Sequence, residues 1–249
     1  MIAQKKIKQI QLLKTKKGRK KENLYIIEGM RCIKSHIENS SLVKEIFLTQ
    51  SFTKINKTII KLCDKNKITF SIISDKDMKK LSDTITPPGV YGVCRLKDKN
   101  SLDLKSKRWL YLYKISDPGN LGSLLRTAAW FNIKNIGLSS DCTDPFSPKV
   151  IRSAAGAHTH LNIHQNINYE IYPDHDYLLI GADQNGTHEI VKSDFNNKLV
   201  LVLGSESKGL EKEIKSKLNK LISIKKIGYG ESLNVAIAGS ILMKDITLK

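Results

Sequence analysis

Apolar residues in this chain come in short runs of strand length, and the polar stretches between them alternate between turns and helical spacing. The last fifty residues show it most clearly. Leu199–Gly204 (LVLVLG) runs into SESKGL, and Lys220–Lys226 (KLISIKK) runs into IGYGES, before a helical pattern begins at about Leu233. Strand, polar turn, helix, repeated, is how parallel strands deliver loops to one edge of a sheet, where ligands of open α/β sheets bind. The two turns hold Ser205, Glu206 and Gly209, and Gly228, Gly230, Ser232 and Asn234. They are rich in backbone donors and short polar side chains, and they predict a cradle for a small polar molecule. Ser232 is placed to cap the final helix, whose apolar positions are Leu233, Val235, Ile237, Ala238, Ile241 and Leu242.

The same pattern extends upstream. WLYLYKI, from Trp109, is a strand, SDPGN is a turn around Pro118-Gly119, and Asn120 is placed to cap a helix over 121–131. Leu121, Leu124, Leu125, Ala128 and Ala129 form its apolar stripe, and Arg126 points roughly 130° away from the stripe's centre, off the core face. NIGLSS, LNIHQ and YLLIGAD read as further strands, with Asn185-Gly186 as a turn. From Asn23 to about Leu96, strands (LYIIEG, KEIFLT, TFSIIS, VYGVCRL) alternate with helical stretches at Met30–Glu38, Phe52–Asp64 and Lys76–Leu81, a small α/β domain of its own. Residues 2–21 form a basic helix with Ile7, Ile10 and Leu13 on its apolar face and Gly18 as its stop. The organisation expected is a first domain over 1–97, a polar linker over 98–107 and a second domain over 108–249.

Charge narrows the partner. Forty-two Lys and Arg against 24 Asp and Glu give a formal net charge of +18, which favours a polyanion. Nine basic side chains lie between Lys5 and Lys21. Only six of the 42 are Arg, so an Arg within a motif is more telling than another Lys. Four widely spaced cysteines without C-x-x-C predict reduced thiols and a cytoplasmic setting, and no apolar run is long enough to span a bilayer. His158 and His160 are the only close pair of potential metal ligands and lack partners at metal spacing, so no metal is expected. A P-loop and a dinucleotide fingerprint are both missing.

Three segments, DPGNLGSLLRTA, LVLGSESKGL and ESLNVAIAGSIL, resemble in order and spacing the three motifs of the SpoU/TrmH family of RNA 2'-O-ribose methyltransferases. SPKVIRSAAGA extends the resemblance, and YIIEGMRCI with TPPGVYGV resembles the family's ribosomal-protein-like RNA-binding domain. The resemblance implies an α/β fold: a small N-terminal RNA-binding domain followed by a parallel-sheet SPOUT domain whose C-terminal segment is threaded as a trefoil knot. It also implies S-adenosylmethionine as methyl donor, RNA as partner with ribosomal RNA favoured, and a homodimer. The residues at matching positions are Arg126 at the reaction centre, Asn120 shaping the same pocket, and Gly204, Ile224 and Leu233 at the cofactor.

A guanidinium is a reluctant base, so Arg126 is expected to stabilise a developing alkoxide. Glu206 then either takes the proton or orients Arg126 through an ion pair, and Ser232 and Asn234 align ribose or cofactor. Arg152 is a second candidate for holding a phosphate, with a structural ion pair as the equal alternative. Ser207 replaces the family's usual Gly, and Lys225-Lys226 a commonly apolar, Pro-containing pair. These departures keep open a non-catalytic RNA-binding or ribosome-assembly factor, and a tRNA-directed methyltransferase shares the chemistry.

Overall fold

Contacts divide the chain of this computed structural model into two units, Met1–Asp98 with Asp144–Thr159, and Lys99–Thr143 with His160–Lys249. The structure describes residues 2–97, 101–186 and 196–248, so the first linker positions, 98–100, lie outside the described residues.

The first unit begins with α1 (Gln4–Leu12) and α2 (Lys16–Glu22), followed by β1 (Leu24–Glu28), α3 (Met30–Asn39) and β2 (Val43–Thr49). Then come α4 (Gln50–Ile55), α5 (Thr58–Lys65), β3 (Thr69–Ile73), α6 (Asp75–Leu81) and β4 (Val90–Arg95). The sheet runs β1-β4-β2-β3, with β4 antiparallel to both neighbours and β2 parallel to β3. Side chains alternate across it with the strand period of two. Tyr25, Ile27, Ile46 and Leu48 enter one core, whereas Ile26 and Phe47 enter the other, against Ile7, Ile10 and Leu13. The expected helix over Phe52–Asp64 is two helices broken at Asn56. Gly18 does not stop the first helix; it lies inside α2, whose N-cap is Thr15. A Cβ at Gly18 would sit 1.9 Å from the carbonyl oxygen of Leu12, so only glycine lets the two helices meet this closely.

In chain order there follow β5 (Arg108–Leu112), α7 (Pro118–Trp130), β6 (Asn135–Leu138), α8 (Pro148–Ala154) and β7 (Asn162–Gln165). The chain closes with β8 (Tyr177–Ala182), β9 (Lys198–Leu203), α9 (Lys212–Lys215), β10 (Lys220–Ile222) and α10 (Val235–Asp245). The second unit's sheet is ordered β10-β8-β9-β5-β6-β7 and every pairing in it is parallel. Its central strands β8, β9 and β5 are the near-continuous apolar runs that a sheet covered on both faces requires, whereas the edge strands β7 and β10 are more polar. Helix α10 packs on α7 so closely that a Cβ at Gly239 would lie 2.5 Å from Leu124 Cδ2.

Helix α8 belongs to the first unit. Ile151 joins the Tyr25–Ile27 core, and Phe146 packs against it. Asp144 takes two hydrogen bonds from the buried Arg19 guanidinium, at 3.0 and 2.5 Å, and Arg19 Nη1 also donates to the carbonyls of Leu13 and Lys14. Of the nine basic side chains in the N-terminal stretch, Arg19 is therefore committed to the interior.

Candidate active site

Three neighbouring strands, β10, β8 and β9, end at one edge of the second unit's sheet, and the loops that leave them enclose a cavity of about 530 Å³. The loop after β9 closes on itself: Ser205 N–H donates to Gly209 O (3.1 Å), and Gly209 N–H to Ser205 O (2.9 Å). Two glycines make this turn possible. Gly209 has φ +62°, and a Cβ at Gly204 would lie 2.2 Å from the Gly209 carbonyl carbon.

The loop after β10 runs from Ser223 to Asn234, and Ile224, Ser232, Leu233 and Asn234 line the cavity together with Gly204 and Glu206. Both predicted loops, and six of the predicted site residues, thus share one cavity. Ser232 is not the helix cap. Asn234 caps α10, its Oδ1 accepting from Ala236 N–H (2.9 Å) and Ile237 N–H (3.3 Å), which leaves Ser232 exposed in the loop.

Asn120 is likewise no cap. Asp117 caps α7, accepting from Asn120 N–H at 2.8 Å, and Pro118 occupies the first turn, where a missing N–H costs nothing. The Asn120 side chain is thereby released to bridge the loops. Its Nδ2 donates to Glu206 Oε1 (3.0 Å), and its Oδ1 accepts from Asn234 Nδ2 (2.9 Å). Glu206 takes longer contacts from Asp117 N–H (3.4 Å) and Ser116 Oγ (3.5 Å).

Of the two roles expected of Glu206, the ion pair with Arg126 is not formed; Asn120 Nδ2 and the Asp117 N–H bond to Glu206 instead. Arg126 is exposed on α7 and has no hydrogen-bond or ion-pair partner among the described residues. Arg152 does not join this cavity. It lies in the first unit and faces Glu28 (3.6 Å), a buried carboxylate that also accepts from Ser82 and Thr84. Lys225 and Lys226 are exposed, with Lys226 Nζ donating to Gly230 O (3.1 Å).

The third wall was missed by sequence reasoning. After β8, Asp183 N–H donates to Ile222 O (2.9 Å), and Ser223 Oγ donates to Gly186 O (2.8 Å). A Cβ at Gly186 would be 2.5 Å from the Ile222 carbonyl carbon, so this turn is pressed onto the end of β10. Asp183 and Asn185 face the cavity. The signal available in sequence was the acid directly after an apolar strand, at the edge where ligands bind. Beside the cavity, the Lys114 ammonium (2.8 Å) and the Tyr113 hydroxyl (3.0 Å) hold the Glu211 carboxyl below the usual carboxylate range.

Residues 107–244 match the family model described as the SpoU rRNA Methylase family. The chain belongs to that family. Residues 4–92 match a second model, the MRM3-like substrate binding domain. Among relatives of this SpoU methylase, the 23S rRNA (guanosine(2553)-2'-O)-methyltransferase of Bacillus subtilis is 29% identical over 96% of this chain and 94% of its own. A solved structure described as a putative RNA methyltransferase of the TrmH family from Porphyromonas gingivalis superposes with a TM-score of 0.82 at 25% identity, covering 99% and 98% of the two chains. The SpoU methyltransferase AviRb from Streptomyces viridochromogenes, solved with AdoMet, superposes at a TM-score of 0.85 and 20% identity, covering 98% and 97%. The SpoU fold so defined is the parallel-sheet unit with a separate N-terminal α/β unit described above.

Proposed function

We propose that this SpoU methylase transfers a methyl group from S-adenosylmethionine to a ribose 2'-hydroxyl of RNA, with ribosomal RNA as substrate. The observation that carries the reading is the cavity itself. The second and third motif segments line it, the first is tied to it through the bonds of Asn120 to Glu206 and Asn234, and its size falls within the roughly 300–1,000 Å³ typical of small-molecule sites. Its lining holds three carboxylates, Asp183, Glu206 and Glu231, against two lysines, in a chain whose net charge is +18. An acidic pocket in a basic protein fits a cationic ligand, and the apolar walls of Leu203, Ile222, Ile224 and Leu242 fit a flat heterocycle. Gly204, Ile224 and Leu233 are the residues that would hold it. The bound cofactor supplies an electrophilic methyl group.

The protein's share is positioning and charge. Arg126, with no partner inside the described protein, is available to stabilise negative charge growing on the 2'-oxygen. Glu206 is an exposed carboxylate fixed by Asn120, suited to accept the 2'-hydroxyl proton. Ser232 and Asn234 border the cavity where ribose and cofactor meet. The substrate-binding match over 4–92 and the exposed lysines of α2 support the first unit as the RNA-holding part, with Arg152 on a phosphate at its margin.

Three further parts belong to the reading. Trp130 on α7 and Ile237 and Ile241 on α10 are exposed apolar side chains flanking the Thr127–Ser240 contact, a surface suited to a second copy. After β10 at the sheet edge, the chain returns to pack α10 on α7 and β9, and we take that return to be the threaded segment of the trefoil knot the resemblance implies. Four buried free thiols suit the reducing cytoplasm, and no helix among the described residues is long and apolar enough to cross a membrane.

The test is transfer of labelled methyl from S-adenosylmethionine to unmodified total RNA, followed by alkaline hydrolysis. Label in alkali-resistant dinucleotides, lost in Arg126→Ala while cofactor binding persists, is the expected result, with the label sized to ribosomal RNA. Absence of label with ribosomal RNA in every assembly state would overturn the reading, and label in transfer RNA alone would replace its substrate.

A further inference from the structure

Asp183 is the most constrained acid of the cavity. Its side chain is 9% exposed, its Oδ2 lies 2.5 Å from Lys215 Nζ, and its Oδ1 accepts from Asn185 N–H at 2.9 Å. Burial works against its charge, yet Lys215 and the Asn185 amide together hold its carboxyl below the ordinary range. The ion pair does not by itself account for a carboxylate here, because a buried ion pair is weak evidence of stabilisation. What the pair does provide is a fixed acceptor. Two carboxylate oxygens offer about four lone-pair directions, and the protein fills two. The turn that carries the acid is held against β10 by the Asp183 N–H to Ile222 O bond, the Ser223 Oγ bond to Gly186 O and the close approach of Gly186, so the acceptor sits on a rigid wall.

The charge balance selects the donor it would serve. Lys215 neutralises Asp183, which makes it a poor counter-ion for an ammonium but leaves it a good acceptor for neutral hydroxyls. Glu206, across the cavity, is bonded among the described residues to neutral groups alone, with no cation paired to it. We propose that Asp183 accepts hydrogen bonds from the ribose hydroxyls of the cofactor, and that Lys215 is a positioning residue that holds it there. The inference rests on the cofactor reading above and adds to it a wall and a chemical group.

The experiment is calorimetric titration of the full chain with S-adenosylhomocysteine, with its 2',3'-dideoxyribose analogue, and with an analogue lacking the α-amino group. Losing a hydrogen bond to a charged acceptor should weaken the parent's binding of the dideoxy analogue about 10- to 100-fold. Asp183→Asn should weaken S-adenosylhomocysteine by a similar factor and bind the dideoxy analogue no worse than the parent does. Lys215→Met should show a smaller loss that also vanishes against the dideoxy analogue. Should Asp183→Asn fail to fold, Asp183→Ser, whose hydroxyl can still take the Asn185 N–H, replaces it. Losses that multiply, unchanged binding by Asp183→Asn, or non-additivity with the des-amino analogue instead would each overturn the proposal while leaving the cofactor reading intact. A parent that binds no S-adenosylhomocysteine would take down both.

Discussion

Asn120 donates to Glu206 across 86 residues of sequence, and the direction of that hydrogen bond is forced. A carboxylate only accepts, so the amide nitrogen of Asn120 must face it, which turns Oδ1 toward the Nδ2 of Asn234. Asn234 in turn must aim its own oxygen at the free N–H groups opening α10. One anion and one helix end thus polarise the whole chain Glu206–Asn120–Asn234. Asn120→Ala should lower methyl transfer about 10- to 100-fold. Asn120→Asp, which sets oxygen against oxygen at Glu206, should be worse than Ala despite its closer shape. Equal rates for the two variants in the labelled-methyl assay would show that the polarity is incidental.

Arg19 and Asp144 make the second prediction. Removing one partner of a buried pair typically costs about 3–5 kcal/mol, since the other charge is stranded. Arg19→Met also leaves the carbonyls of Leu13 and Lys14 without their donor. Urea denaturation followed by the first unit's signal should show a loss in that range, and a loss under about 1 kcal/mol, the scale of exposed pairs, would refute the assignment.

How far the sequence spoke depends on whether a feature is local. Strands announced themselves through β-branched runs, and the loops after β9 and β10 through glycines whose backbone needs are local; the 204–209 turn closes within itself. Caps were misplaced by two or three residues, at Asn120 instead of Asp117 and Ser232 instead of Asn234, because each region offers several capping residues and local spacing does not choose between them. For Arg152 the phosphate and the ion pair stood as equal alternatives, and Arg19 was one basic residue among nine, because their acidic partners, Glu28 and Asp144, lie 124 and 125 residues away. Asp183 was passed over although an acid directly after an apolar strand was there to be read. Its meaning depends on Lys215 and on β10, both later in the chain.

A third prediction concerns acid. His158 is buried, its Nε2 bonded to the Pro145 carbonyl (2.8 Å) and its Nδ1 without a partner among the described residues. Burial pushes its pKa down to about 4. In the unfolded chain it titrates near 6.5, so the unfolded state binds the extra proton between those values. Its share of stability is complete above about pH 6.5, falls as pH drops toward 4, and amounts to about 3 kcal/mol. Denaturation midpoints measured from pH 7.5 to 4 should fall less steeply in His158→Gln than in the parent. Parallel slopes would exclude His158 as the source.

The fourth concerns assembly. Trp130→Glu or Ile237→Glu places a charge on the exposed apolar face of α7 and α10, away from the cavity lining. Light scattering should show a dimer for the parent and a monomer for each variant at micromolar concentration. A parent that is monomeric at tens of micromolar would leave that face without its proposed occupant.

The placement of residues 144–159 in the first unit bears on how this protein could ever be taken apart. A cut anywhere between 97 and 107 would sever the peptide between the two matched regions, yet the N-terminal fragment would leave without Asp144, Phe146 and Ile151, which complete its interior. The remaining piece would carry an amphipathic sixteen-residue insert with nothing to cover it. Reading the two regions as interchangeable cassettes therefore fails at the level of the chain: a graft that moves one of them must carry residues 144–159 with the N-terminal part, and rejoin residues 143 and 160 behind it.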